Sequence, residues 1–189
     1  MELTEWAYAL SESLLSGPLP RRWAHSLGVA KRARSLSPIL GDDAELLEAA
    51  AVLHDIGYAP AIAVTGFHPL DGARFLRDHE HADDRVVRLV AHHSCALLEA
   101  EERGLRHELE GEFSLERPDL VDALLYCDMT TTPDGEQTSP ADRIDEIVRR
   151  YGPDTIVGRF IQRAAPEIHA ASQRVEERLA KVSGSDQPM

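Results

Sequence analysis

Ala49-Ala50-Ala51-Val52-Leu53-His54-Asp55-Ile56-Gly57 is an apolar helical run that stops at an imidazole beside a carboxylate. Asp42 or Asp43 can cap its start, and Glu45, Leu46 and Ala50 keep helical spacing into it. Gly57 is a natural stop. Consecutive helical residues point about 100° apart. His54 and Asp55 therefore reach one ion only at a helix end, or when two ions share the pair. The partial negative charge at a helix C-terminus disfavours an aspartate, and a bound cation would remove that penalty. Taken alone, the pair also reads as a hydrogen-bonded core histidine followed by a polar residue.

Outward from this pair, the same two side-chain types recur. His25 shares the apolar side of a helix over Arg21 to Leu36 with Gly28, Val29 and Ala33. His68 precedes Pro69 at the lip of the next helix. His92 and His93 are adjacent, so one helical direction cannot serve both. Asp128 follows the apolar run Leu124-Leu125-Tyr126-Cys127, and a carboxylate buried there needs a partner. Imidazole and carboxylate are ligands that borderline divalent metals accept. Each also has an ordinary reading: a core histidine for His25, a helix start for His68, and support of the Thr130–Thr132 turn for Asp128. His79, His81, His107 and His169 lie among charged residues and read as surface.

Start and stop signals place helices over 3–15, 21–36, 42–54, 69–79, 83–93, 96–109 and 118–128, with a mixed loop at 58–67. Thr130-Thr131-Thr132-Pro133-Asp134-Gly135 is a turn. Ser139-Pro140 opens another helix, and a last one starts at Asp154. No β-alternation or repeat interrupts the pattern. The expectation is an all-α bundle in one domain over residues 1–182, followed by a polar tail at 183–189.

The chain has 189 residues, enough for a real core, with 43% hydrophobic and 28% charged residues. Its net charge of −13 argues against a nucleic-acid polymer or an anionic membrane as partner. It leaves room for a small phosphorylated substrate, because divalent cations would dominate the field inside a pocket. Cys95 and Cys127 form no C-x-x-C motif and read as small buried residues. The acidic start, with no basic and apolar leader, and the two thiols predict a cytoplasmic protein. Oligomeric state is not legible.

The order His25, His54-Asp55, His68, His92-His93, Asp128 resembles the HD-domain superfamily of metal-dependent phosphohydrolases, over roughly Leu19 to Gly135. The resemblance implies an HD-domain-like helical bundle. It implies one ion on His25, His54, Asp55 and Asp128, and a second on Asp55 with His68 and His92 and/or His93, the metals being Fe, Mn or similar. The nearest resemblance is to bacterial HD hydrolases of symmetrical diadenosine tetraphosphate. It rests on Leu19-Pro20-Arg21-Arg22-Trp23-Ala24-His25-Ser26-Leu27-Gly28-Val29-Ala30 and on Phe67-His68-Pro69-Leu70-Asp71-Gly72-Ala73. The chain departs at Tyr58, where many HD proteins carry lysine, at Ser94-Cys95, and from Met129 to Gly135.

The activity so implied is cleavage of a phosphoester or phosphoanhydride of a nucleotide or related small molecule by a metal-activated water, with His54 and Asp55 at its centre. Arg21 and Arg22, one turn before His25, are candidate phosphate contacts. The Thr131 hydroxyl is a further one. A solvated helix start and a plain turn are the ordinary readings of these residues, and a solvated arginine that of Arg74. Two other functions share the ligand set: a di-iron HD-type oxygenase, and a non-catalytic metal-containing binding or signalling module.

Overall fold

The computed structural model describes residues 2–185, and these run from helix to helix. In order they are α1 (Leu3–Leu15), α2 (Pro20–Ser35), α3 (Ser37–Leu40), α4 (Ala44–Leu53), α5 (His68–Asp78) and α6 (Asp84–His92). There follow α7 (Ala96–Arg103), α8 (Arg106–Glu112), α9 (Pro118–Met129), α10 (Pro140–Tyr151) and α11 (Ile156–Ser185). Short 3-10 turns occupy Gly41–Asp43, Ile56–Tyr58 and His93–Cys95. No strand occurs among the described residues; a single isolated bridge pairs Thr131 with Gln137. No described helix is long and apolar enough to cross a membrane.

A helix that is apolar on every side has to be surrounded. α4 is: Ala49 through Leu53 are completely buried, and α1, α2, α6 and α9 pack around it. A second apolar cluster joins α9, α10 and α11 through Leu125, Met129, Ile144, Ile147, Phe160 and Ile161. A cleft opens where the two clusters meet.

Two close backbone approaches set the frame of that cleft. A Cβ on Gly28 would lie 2.5 Å from the Gly135 carbonyl oxygen, so α2 rides directly on the turn that follows α9. This brings His25 beside Asp128. A Cβ on Gly57 would lie 2.0 Å from the His68 carbonyl oxygen, so the turn after α4 is pressed against the start of α5. Only glycine permits such contact.

Several boundaries differ from the sequence reading. The helix expected over 96–109 breaks at Gly104, whose φ of 71° leaves the helical region. Ser37-Pro38, just past the helix expected over 21–36, opens the short α3. Asp43 precedes α4 without capping it, because its carboxylate accepts from Arg85 and Arg117 instead. Asp83 and Ser139 do cap α6 and α10. The last helix begins at Ile156, beyond Gly152 and Pro153, and includes residues 183–185 of the expected tail. Residues 186–189 lie outside the described residues.

Candidate metal centre and its cleft

α4 ends at Leu53 with His54 at its C-cap, and Asp55 (φ −101°, ψ 4°) has left the helix. The pair therefore turns a helix corner, which lets both side chains face one space. α2 brings His25 to that space, the first residue of α5 brings His68, the turn after α6 brings His93, and α9 brings Asp128. All six are buried, from 0% exposed for His54 to 9% for His68. His25 Nε2 lies 3.0 Å from Asp128 Oδ1, and His54 Nε2 lies 3.5 Å from Asp55 Oδ2. His68 Nε2 lies 3.3 Å from Asp55 Oδ1 and 3.0 Å from His93 Nε2.

The six divide into three overlapping triads whose ligand atoms lie within 4.8 Å of one another. These are His25–His54–Asp55, His54–His93–Asp128 and Asp55–His68–His93. Asp55 turns one oxygen toward His54 and the other toward His68, as a carboxylate shared between two ions would.

The donor chemistry fits a metal. His54 Nδ1 donates to the Ala51 carbonyl at 2.7 Å, His93 Nδ1 to that of Val90 at 2.7 Å, and His25 Nδ1 to that of Thr132 at 2.9 Å. A carbonyl can only accept, so each neutral ring carries its hydrogen on Nδ1 and presents a lone pair at Nε2. The His54 Nε2 is buried and has no hydrogen-bonding partner in the protein. Those of His25 and His93 face a carboxylate oxygen and another imidazole nitrogen. A cation among these lone pairs turns repulsion into coordination.

Ionisation agrees with this. Burial alone would raise the Asp55 carboxyl, but His54, Arg22 and His68 hold it well below the usual carboxylate range. Asp128 is likewise lowered against the effect of burial, by His25, His54 and Arg143. Burial pushes His68 down to about 3 and lowers His93, which keeps both rings in the neutral, ligating form.

Asp128 Oδ2 accepts from the Ser94 hydroxyl at 2.5 Å. Ser94 and Cys95 both hold positive φ, at 50° and 61°. Side chains rarely adopt that conformation, at a cost of about 1–3 kcal/mol each. Here it turns the chain so that His93 and Ser94 both face the centre.

The remaining sequence candidates are placed elsewhere, Arg22 excepted. His92 belongs to none of the triads: its Nε2 donates to the Phe113 carbonyl at 2.7 Å. α6 ends between His92 and His93, and only the second is swung inward. Thr131 is buried with its hydroxyl donating to the Cys127 carbonyl at 2.7 Å, so it offers nothing to the cleft. Arg21 is exposed, clasps Asp134 and lines a neighbouring groove. Arg74 pairs with Glu112. Arg22 is in the cleft, bound to Asp55 Oδ2 at 2.5 Å and stacked 3.7 Å over the Tyr58 ring. Tyr58 stacks in turn on His68, ring centroids 3.9 Å apart.

The cleft has an inner cavity of about 80 Å³ that opens to solvent. Its far wall holds residues the sequence did not single out: Arg143, Ile147, Arg150 and Tyr151 of α10, and Phe160 of α11. Glu99 also lines it, 6% exposed and paired with Arg103 at 2.7 Å. The α10 residues recur at helical spacing, which is the only sign of them in the sequence.

The profile of the HD domain family matches residues 22–164, which takes in the metal centre and both walls of the cleft. The chain belongs to the HD domain family. This places it in the HD metal-dependent phosphohydrolase superfamily. Two curated proteins resemble it over a shorter stretch. Ribonuclease Y of Rubrobacter xylanophilus is 37% identical over 70 residues, which are 37% of this chain and 14% of that protein. Ribonuclease Y of Acetivibrio thermocellus is 34% identical over 70 residues, 37% of this chain and 13% of that protein. No solved structure matches the chain significantly. The HD domain here thus shares a small part of the length of those relatives, and the family supplies the frame for its chemistry.

Proposed function

We propose that this HD domain is a metal-dependent phosphohydrolase that cleaves a phosphoester or phosphoanhydride of a nucleotide or related small molecule. The observation that carries the reading is the buried, unpartnered Nε2 of His54, surrounded by imidazoles whose Nδ1 atoms are tied to backbone carbonyls. His25, His54, Asp55 and Asp128 would hold one divalent ion, and Asp55, His68 and His93 a second, of iron, manganese or a similar metal. Bound there, the ions would supply Lewis-acid chemistry, lowering the pKa of water and neutralising phosphoryl oxygens.

The chain's own residues do the rest. Asp55 presents a separate oxygen to each half of the centre. Ser94 fixes Asp128, so that one carboxylate oxygen is committed and the other faces the histidines. Arg22, held flat on Tyr58, points its guanidinium at the same point and can fork onto a phosphoryl group. The ligand side chains themselves are buried, which strengthens each of these interactions.

The name of the relatives indicates action on RNA. The net charge of −13 here favours a small substrate over an RNA polymer or a membrane surface, since phosphate-backbone binding needs a basic face. The two free cysteines fit a reducing cytoplasm.

The test is elemental analysis of protein purified without chelator, then anaerobic assay of phosphate release over a nucleotide panel with added Mn or Fe. The wild type should carry metal and release phosphate, and Asp55→Ala should lose both. Stoichiometric metal in Asp55→Ala would show the site to be wrongly assigned. Oxygen consumption without phosphate release would replace the hydrolase by an oxygenase. Metal retention with neither activity would leave a binding module.

A further inference from the structure

We infer that Arg22 is a positioning residue that competes with the metal for Asp55. Its guanidinium and a divalent ion claim the same carboxylate oxygen, so metal loading turns Arg22 off Asp55 while the Tyr58 ring keeps it at the cleft. The inference rests on the metal centre of the phosphohydrolase reading and not on the reaction assigned to it.

Arg22 Nη1 donates to Asp55 Oδ2 at 2.5 Å. The same oxygen lies 3.5 Å from His54 Nε2 and 3.9 Å from His25 Nε2. It is therefore the oxygen turned toward the His25–His54–Asp55 triad, while Oδ1 is turned toward His68. An ion in that triad would share Oδ2 with the guanidinium. A carboxylate oxygen has lone pairs enough for both, so the conflict is one of charge. Asp55 is 3% exposed, and two cations on one buried oxygen repel with little water to screen them.

The other acids of the cleft lining do not offer Arg22 a second carboxylate. Asp128 is held by Ser94 and His25, and Glu99 by Arg103. What remains is the ring: the Arg22 Cζ stands 3.7 Å over the Tyr58 centroid, and Tyr58 is itself stacked on His68 at 3.9 Å. A cation over an aromatic face is attracted whether or not a carboxylate is also present. The Arg22 side chain is 23% exposed and lines both the cleft and the neighbouring groove, so its end can turn without disturbing α2. Two holds of different kinds, one displaced by a cation and one indifferent to it, are what such an exchange requires.

The experiment is zinc affinity by competition with a chromogenic chelator for wild type, Arg22→Met and Arg22→Lys, with urea midpoints of the chelator-treated proteins. Zinc accepts the same nitrogen and oxygen ligands. Arg22→Met keeps an unbranched side chain over Tyr58 and removes the charge, so it should bind zinc about tenfold more tightly than wild type. Its midpoint without metal should fall, because Asp55 is left buried without its cation. Arg22→Lys, which restores a charge, should bring both quantities back toward wild type. A merely structural Arg22 would make Arg22→Met bind zinc more weakly, and one that meets only substrate would leave zinc affinity unchanged; either result overturns the competition. Should Arg22→Met fail to fold, the wild type decides. In nitrogen-15 NMR spectra the Arg22 guanidinium hydrogens should exchange with solvent faster once zinc is bound, and unchanged or slower exchange overturns the inference. Tighter zinc binding by Arg22→Met without phosphate release from the nucleotide panel would remove the hydrolase and keep the competition. Phosphate release with equal zinc affinity would do the reverse, and a wild type that binds no zinc would remove the competition together with the metal centre.

Discussion

On one wall of the cleft, His25, His54 and His93 are each tied through Nδ1 to a backbone carbonyl and buried to within a few per cent. On the other, Arg150 and Tyr151 are about a third exposed, and Arg150 is held by the side chain of Glu146. The first wall is set by the backbone, so its geometry exists before any ligand arrives. The second is set by long side chains that can adjust to what is bound. Rigid placement suits ions, which require ligand atoms at fixed distances. Adjustable placement suits discrimination between substrates.

The sharpest way to break this comparison is within the histidine pair. His93 belongs to two of the triads and His92 to none. His93→Ala should weaken metal binding at least about a hundredfold, the range seen when ligand shells are damaged. His92→Ala should keep full metal content, as should Arg150→Ala on the opposite wall. Elemental analysis after dialysis against a weak chelator measures all three. Loss of metal in His92→Ala would mean that the turn at His93–Cys95 is misplaced.

Which histidine points inward is the part of the site that the sequence could not reveal. Adjacent residues diverge by about 100° on a helix, and the deciding left-handed pair, Ser94 and Cys95, contains no glycine to announce it. The other ligands were legible because each sits where helix signals stop: His54-Asp55 before Gly57, His68 before Pro69, Asp128 before a turn. The bundle was legible for the same reason, through caps and prolines such as Ser139-Pro140. The break at Gly104 was not, since one glycine inside a helical pattern is often tolerated. Nor were Arg143, Arg150 and Tyr151, because cations and apolar residues at helical spacing describe any amphipathic helix. Thr131 was read from its hydroxyl alone, and that hydroxyl is used by the Cys127 carbonyl.

Acid should separate the walls next. In chelator, folded His68 titrates at about 3, far below its ordinary 6.5, chiefly through burial, and His93 shifts the same way. The unfolded chain then binds more protons than the folded one between those values, so stability falls as pH drops through that window. Each unit below 6.5 should remove about 1.4 kcal/mol for a ring so shifted, or about 3 kcal/mol for His68 alone by pH 4.5. Lowered Asp55 and Asp128 add their loss only below their ordinary 3.8. Urea midpoints from pH 7.5 to 4.5 measure the slope. His68→Gln should flatten it, and Arg150→Ala should leave it as steep as in the wild type.

The frame under the rigid wall offers a smaller effect. Gly57→Ala would drive a Cβ into the His68 carbonyl, with only 2.0 Å available. Overpacking of this kind costs about 1–3 kcal/mol, and the displacement should also lower metal content by moving His68. Gly17→Ala, where an added Cβ meets no atom within 4 Å, is the matched control. Denaturant midpoints and metal analysis on both variants give the comparison. Equal stability of the two would remove the claim that backbone contact sets this wall.

Ser94 tests the finest level of that claim, because it combines a strained backbone with a hydroxyl on Asp128. Ser94→Ala removes the hydrogen bond and keeps the strain. Ser94→Gly removes both, and glycine tolerates positive φ without the cost of about 1–2 kcal/mol that a Cβ carries there. If the hydroxyl orients Asp128, both variants should bind metal about tenfold more weakly, the lower end of the range for loss of a partner behind a ligand. Ser94→Gly should nevertheless be the more stable of the two by about 1 kcal/mol. Competition with a chromogenic chelator reads the first quantity and thermal unfolding of the metal-free protein reads the second. Wild-type metal affinity in Ser94→Gly would mean that the left-handed turn serves only to deliver His93.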